Sequence, residues 1–338
     1  MLRTRRQTNT VQKRLQANPL LERITDRTYV INGGWARGFV FLPDPEKPDC
    51  IIIDPGTGKE VEGKFNRKIA GIVTAEIAAE SRELSSILRE RESRSQFLMR
   101  LVRAIEEGMP QKNGDLSGVF LGRVSQIGSI VKETGLLVRA IYATHHHIDH
   151  VGVSVPLAQS IETQPHVFLP DPLIFDQKRR GELPIQTPSD GYKTIKPGTD
   201  DFGIRTFDIS GHTKMVGFLL PDGCLIIGDL VVTTNMWKTS VLYAENVTEH
   251  LKALQRILNI QYERMLLSHG KRFNLLKDDS DTLVRANIQA VEKARRAATE
   301  NDDIVRAAEE YLGITNGHIG IDDLRHLLTT SLNIGAYR

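Results

Sequence analysis

The hydrophobic positions of this chain follow two periods. Apolar runs of strand length fall at 28–31, 38–42 and 50–53, parted by Gly33-Gly34 and by the proline-rich stretch 43–48, both turn signals. A further set falls at 138–144, 166–169, 204–209, 216–220, 224–228 and 264–268. Residues 119–134 and 247–258 instead repeat apolar side chains at helical spacing, and Gly135 stands where a helix C-cap is expected. Beyond residue 269 the pattern is helical, with periodic segments at 282–299, 302–312 and 321–332. A long insertion, about 59–118, separates the early strands from the 119–134 helix. It carries Phe97, Leu98, Leu101, Val102 and Ile105 at helical spacing, with arginine and glutamate on the other face. Such a stripe must be buried, so the insertion is expected to pack on the body of the protein or to form a homodimer contact; a lid over the strand ends is its other use.

Composition narrows the class. A chain of 338 residues with 40% hydrophobic and 25% charged content suffices for one large domain with an appendage. The expected organisation is a basic, mobile N-terminal arm over 1–19, one domain over 20–280 that includes the insertion, and a helical C-terminal extension over 281–338 packed on that domain. A segment of ~60 residues has little core of its own. Arg3, Arg5, Arg6, Lys13 and Arg14 make the arm basic, but it lacks the apolar core of a secretory leader. No apolar run approaches the ~20 residues of a membrane helix, so no membrane partner is expected. The net charge of +2 lacks the footprint of a nucleic-acid binder. Cys50 and Cys224 lie far apart beside strand-like runs, which fits unpaired thiols in a reducing, cytoplasmic setting.

The chemistry concentrates where strands end. Residues 144–150 read Thr-His-His-His-Ile-Asp-His, placing His145, His147, Asp149 and His150 directly after an apolar run. Imidazole nitrogen and carboxylate oxygen are the ligands that zinc and similar ions accept, and four within six residues can feed two neighbouring ions. His145 and His147, two apart in an extended stretch, point to one side and can grip one ion. Asp149 and His150 follow where the chain bends toward a helix and can face a second. His212, Asp229 and His269 each stand beside a glycine at the end of a further apolar run, so one sheet edge can present all seven. His146 occupies a spacer position and is read as a hydrogen-bond donor; His166, His250, His318 and His326 lack partner spacing.

With the early Ile-Ile-Ile-Asp54-Pro-Gly-Thr-Gly element, the triple-histidine motif, Ser-Gly-His212-Thr, Gly-Asp229 and Ser-His269-Gly, the chain from about 20 to 269 resembles the metallo-β-lactamase fold superfamily. Within it, the chain is similar to the glyoxalase II-like (hydroxyacylglutathione hydrolase-like) branch. The resemblance implies an α/β fold, a four-layer αβ/βα sandwich, carrying the helical insertion and the C-terminal extension. It implies His145, His147 and His212 on a first metal, Asp149, His150 and His269 on a second, and Asp229 bridging both. Asp54 would hold the metal loop by hydrogen bonds without coordinating. The implied cofactor is a pair of divalent ions, zinc first, with iron or manganese suiting the same ligands.

The implied activity is a hydrolase in which a metal-bridging hydroxide attacks an ester, thioester or lactone-type small molecule, Asp149 orienting the nucleophile. After Asp229 the chain reads Leu230-Val-Val-Thr-Thr234, and after His269 Gly270-Lys271, where glyoxalase II has Gly-Cys-Gly-Arg and Glu-Tyr elements, so the substrate stays open within that class. Asp229 also stands where some zinc β-lactamases would carry a cysteine. A phosphodiesterase or nuclease of the same fold is the alternative, since two metals can clamp a phosphate. A silent scaffold of this fold is disfavoured by the presence of all seven ligands. Trp35, Arg37, Trp237, Tyr243 and Lys271 are the candidates for a substrate wall or anchor.

Overall fold

The structure is a computed structural model that describes residues 11–34, 36–57, 117–170, 192–233, 239–240, 247–270 and 272–300. Outside these lie the insertion but for its last two residues, Trp35, Trp237, Tyr243, Lys271, His318, His326 and the expected helices 302–312 and 321–332.

Seven strands form the first sheet, in the order of the chain: β1 (Leu21–Arg23), β2 (Thr28–Ile31), β3 (Gly38–Phe41), β4 (Asp49–Ile53), β5 (Leu137–Tyr142), β6 (His166–Leu169) and β7 (Tyr192–Thr194). The first four make an antiparallel meander, and β4 to β7 run parallel. Parallel neighbours require crossovers. Helix α1 (Ser117–Thr134) returns the chain from β4 to β5, and helix α2 (Ser154–Ser160) from β5 to β6. The second sheet has the order β15-β14-β11-β10-β9-β8, built from β8 (Gly198–Thr199), β9 (Arg205–Asp208), β10 (Val216–Leu219), β11 (Cys224–Ile226), β14 (Arg264–Leu266) and β15 (Asn274–Leu276). A small ribbon, β12 (Val232–Thr233) with β13 (Thr239–Ser240), precedes helix α3 (Val247–Leu258), which crosses to the parallel strand β14. Helix α4 (Lys277–Glu300) follows β15.

Alternation along the strands sorts the side chains into three cores. Cys50 and Ile52 of β4 pack outward with Ile127, Ile130 and Val131 of α1 and Leu157 of α2, while Ile51 and Ile53 point inward. The inward set joins Phe39, Phe41 and Tyr142 to Val216, Phe218, Cys224 and Ile226 of the second sheet. On that sheet's far face, Leu225 and Met265 meet Leu254 and Ile257 of α3 and Val284 of α4. Helix, sheet, sheet, helix is therefore the layering, and period-2 strands buried on both faces are its cause. Gly135, at φ 73, ends α1 with its N–H donating to Val131 O, which fits its expected place as a cap.

Three differences from the periodicity have physical reasons. The apolar runs ending at 144, 228 and 268 overshoot their strands, which stop at Tyr142, Ile226 and Leu266. In each case the last two residues leave the ladder to carry the side chain that follows. The second difference concerns the expected arm over 1–19: residues 11–17 are helical, Leu15 is fully buried in the outer core, and Asn18 donates to Glu133 at the end of α1. The basic stretch is thus anchored from residue 11 on. Third, α4 starts at Lys277 and runs through the expected boundary at 281, so domain and extension share one helix. Among the described residues no helix is long and apolar enough to cross a membrane.

Both cysteines are fully buried, Cys50 in the outer core and Cys224 between the sheets, and burial pushes each thiol well above its ordinary range. Neither is expected to react with an aromatic disulfide reagent in the native protein, with two reacting per chain on unfolding. Labelling of the folded protein at the unfolded rate would contradict this.

Candidate metal centre

After Tyr142 the backbone is diverted by Asp54. This residue follows β4, is fully buried and takes φ 49, a left-handed conformation that aspartate enters more readily than most residues. Its Oδ1 accepts the Thr144 N–H at 2.7 Å, and its Oδ2 accepts the Thr144 hydroxyl at 2.8 Å and faces His150 Nδ1 at 2.9 Å. One carboxylate therefore shapes the loop at two points. Having given its proton to Asp54, the Thr144 hydroxyl is an acceptor for His145 Nδ1 at 3.0 Å. In both histidines Nδ1 then carries a proton, which leaves Nε2, turned to the interior of the rim, as the nitrogen that can coordinate.

Beyond His147 the chain makes a single helical turn, Ile148–Val151, with Val151 N–H donating to His147 O and Val151 buried. This turn brings Asp149 and His150 into reach of His269, with the His150 ring still 4.1 Å from that of His145. The loop between β9 and β10 delivers His212, the turn after β11 delivers Asp229, and the loop after β14 delivers His269. Gly228, at φ 52, precedes Asp229, and a Cβ there would meet Thr144 Oγ1 at 2.5 Å. Only glycine lets the two sheets approach at this point.

The result is two groups that share Asp229: His145, His147, His212 and Asp229, and Asp149, His150, Asp229 and His269, each with its ligand atoms within 4.8 Å of one another. Asp229 divides its oxygens between them. Oδ1 lies 3.1 Å from His150 Nε2 and 3.3 Å from His269 Nε2, while Oδ2 lies 3.7 Å from His145 Nε2 and 3.8 Å from His212 Nε2. His212 Nε2 and His147 Nδ1 are 3.0 Å apart, near the edge, about 3.3 Å, of a tetrahedron of zinc–nitrogen bonds. Asp149 Oδ2 is 2.9 Å from His269 Nε2. His146 stands outside both groups, with Nδ1 3.4 Å from the Thr213 hydroxyl, and His166 is on the exposed side of β6.

These residues fit metal ions. His145 Nε2, His150 Nε2 and Asp229 Oδ1 are buried without a hydrogen-bond partner among the described residues, the His150–Asp229 approach lacking hydrogen-bond geometry. Leaving such groups unmet costs roughly 1–3 kcal/mol each, so a cluster of them facing one space suits a cation. The charge balance of the metal-free site agrees. Burial, together with the neighbouring imidazoles, holds His145 well below its ordinary value. At His150 burial is outweighed by Asp229, Asp149 and Asp54, which hold it well above, and at His269 by Asp229 and Asp149. Burial of Asp229 is outweighed in turn by His150 and His269, which hold its carboxyl far below the usual range.

Two contributors gave no sequence signal. Thr144 looked like the last residue of a strand, and Arg123 like one polar position on a helix; its buried guanidinium donates to Pro55 O at 3.1 Å and Asn32 O at 2.8 Å, pinning the turn that holds Asp54. Arg37, a candidate substrate anchor, directs its guanidinium to the carbonyls of Ser268 and Gly270.

Residues 126–269 match the sequence model of the Metallo-beta-lactamase superfamily, and all seven clustered residues lie within that span. The fold is similar to that of a metallo-beta-lactamase family protein from Thermus thermophilus, at TM-score 0.53 and 14% identity, over 93% of this chain and 94% of that one. A metallo-beta-lactamase from Pontibacter korlensis aligns at TM-score 0.47 and 13% identity, over 80% and 98%. A superfamily protein from the archaeon Sulfolobus tokodaii aligns at 0.39 and 18%, over 56% and 80%. No curated protein sequence matches.

Proposed function

We propose that this protein is a metal-dependent hydrolase of the glyoxalase II-like kind, using two divalent ions, zinc by preference, to cleave an ester, thioester or lactone-type small molecule. The observation that carries this reading is Asp229, with one carboxylate oxygen turned to each ligand group. When bound, such a pair of ions supplies a water made nucleophilic near neutral pH and a Lewis acid for the developing oxyanion. His145, His147 and His212 would hold one ion, Asp149, His150 and His269 the other, and Asp229 both. Thr144 and Asp54 keep the Nδ1 protons of His145 and His150 in place, so that each offers Nε2 without tautomeric change. Asp149, 8% exposed, is positioned to bind and to orient the attacking water. The two buried thiols supply no nucleophile.

The test is a screen of metal-loaded protein against thioesters, lactones, aryl esters, bis-nitrophenyl phosphate and nitrocefin, with metal content measured in parallel. Turnover of a carboxylic ester, thioester or lactone is expected at two metals per chain. Turnover confined to the phosphodiester would replace this reading with phosphoryl chemistry, and a protein that takes up no zinc, iron or manganese would end it.

Metal uptake should also release protons. His150 and His269 are held above the ordinary imidazole value by their carboxylate neighbours, so at pH 7 the metal-free site carries protons that must leave before their nitrogens can coordinate. Affinity should therefore fall as pH drops through the raised values of these two histidines. The stability linkage has the opposite sign: the raised histidines stabilise the metal-free fold fully below about pH 6.5 and lose that contribution as pH rises through their folded values. Titration calorimetry in buffers of different ionisation enthalpy measures the release, and an observed enthalpy independent of buffer would contradict it.

A further inference from the structure

The clustered residues come from both sheets, so each group needs its halves held together across the gap. For the group of His145, His147 and His212 the second sheet does this with main chain. Val216 N–H donates to Thr144 O at 2.9 Å, and Gly228 lies directly against Thr144. The other group joins Asp149 and His150, after β5 of the first sheet, to His269 on the loop that leaves β14 of the second. Arg37, directly before β3, spans that gap. Its backbone N–H donates to Ser268 O at 2.9 Å, its Nη1 donates to the same oxygen at 3.4 Å, and its Nη2 donates to Gly270 O at 2.5 Å. The carbonyls on both sides of His269 are thus held by one residue. The Phe273 ring, centred 4.3 Å from the guanidinium carbon, fixes the plane of the fork.

We propose that Arg37 is a positioning residue for the group containing His269, and that the two groups therefore rest on separable supports, main chain alone for one and main chain reinforced by a guanidinium for the other. The inference rests on the two-metal reading above. Removing the guanidinium frees the Gly270 carbonyl, leaves the Ser268 carbonyl only the main-chain N–H of residue 37, and so loosens His269 opposite Asp149, while Thr144, Val216 and Gly228 are untouched. Lysine keeps the charge but has no planar fork, so it can serve one carbonyl at a time and restores only part of the hold.

The experiment is a competition titration of the full-length, metal-free chain with Zn²⁺ against a chromophoric chelator, for the wild type, Arg37→Met and Arg37→Lys. The wild type is expected to take two equivalents. Arg37→Met should keep the wild-type affinity for the first and lose about 10–100-fold for the second, as loss of a ligand's outer support does, with Arg37→Lys in between. Fewer than two equivalents in the wild type would refute the two-metal reading, and the inference with it. Two equivalents in the wild type, with Arg37→Met unchanged or weakened equally at both, would overturn the role of Arg37 alone. So would a metal-free Arg37→Met chain that fails to fold by circular dichroism, since Arg37 would then hold the fold and not the site.

Discussion

Asp229→Ala is expected to abolish tight metal binding in both groups at once and to remove activity altogether. Every other clustered residue serves one group, whereas Asp229 faces His150 and His269 with one oxygen and His145 and His212 with the other. The substitution also removes the first of the carboxylates that raise His150 and His269, leaving Asp149 beside both and Asp54 beside His150, so the balance of charge across the rim is lost. The loss of turnover should exceed the roughly 10²–10³-fold that removal of a single electrostatic donor costs in other enzymes, because the source of the nucleophile goes with it. Elemental analysis after dialysis and initial rates on the best substrate of the screen are the measurements. A variant that retains one tightly held ion per chain would show that the groups do not share this residue.

Asp54→Ala is expected to destabilise the fold more than any other single change near the site. It removes the acceptor for the Thr144 N–H, the Thr144 hydroxyl and His150 Nδ1, all fully buried. It also places alanine at φ 49, a conformation it tolerates less well than aspartate. Orphaned buried donors of this kind cost about 1–3 kcal/mol each, so a loss of about 3–5 kcal/mol is expected in urea unfolding. Asp54→Asn keeps an acceptor for Thr144 and should cost less stability. It presents an amide to a hydroxyl and an imidazole that both need an acceptor, so metal affinity should still fall about 10–100-fold. Wild-type unfolding and metal affinity in Asp54→Ala would remove Asp54 from the support of the site.

Much of this was legible in the chain because the features are local. An alternating apolar run is a strand wherever it packs, and 28–31, 166–169 and 247–258 coincide with the observed elements residue for residue. The His-x-His-x-Asp-His spacing announced four ligands for two groups, and in the structure His145 and His147 lie on a bend after β5 while Asp149 and His150 lie on the helical turn that follows. The ends of β5, β11 and β14 were not legible. Their last apolar residues still read as strand, but a distant group decides where the ladder stops; for β5 it is Asp54, 90 positions away from Thr144. The short strands β1, β7, β8 and β15 also escaped, since two or three residues carry too little period to count.

Residue type and spacing were enough to mark most of the strands, the helices and the seven side chains able to bind metal, while the layers and the division of the ligands were implied by the family resemblance. How Asp229 turns one oxygen to each group, and how Thr144, Arg123 and Arg37 orient the rest, came from the packed molecule alone. Those are relations between residues remote in the chain, fixed by two sheets packing within a few ångström of each other, and no local pattern encodes such a distance.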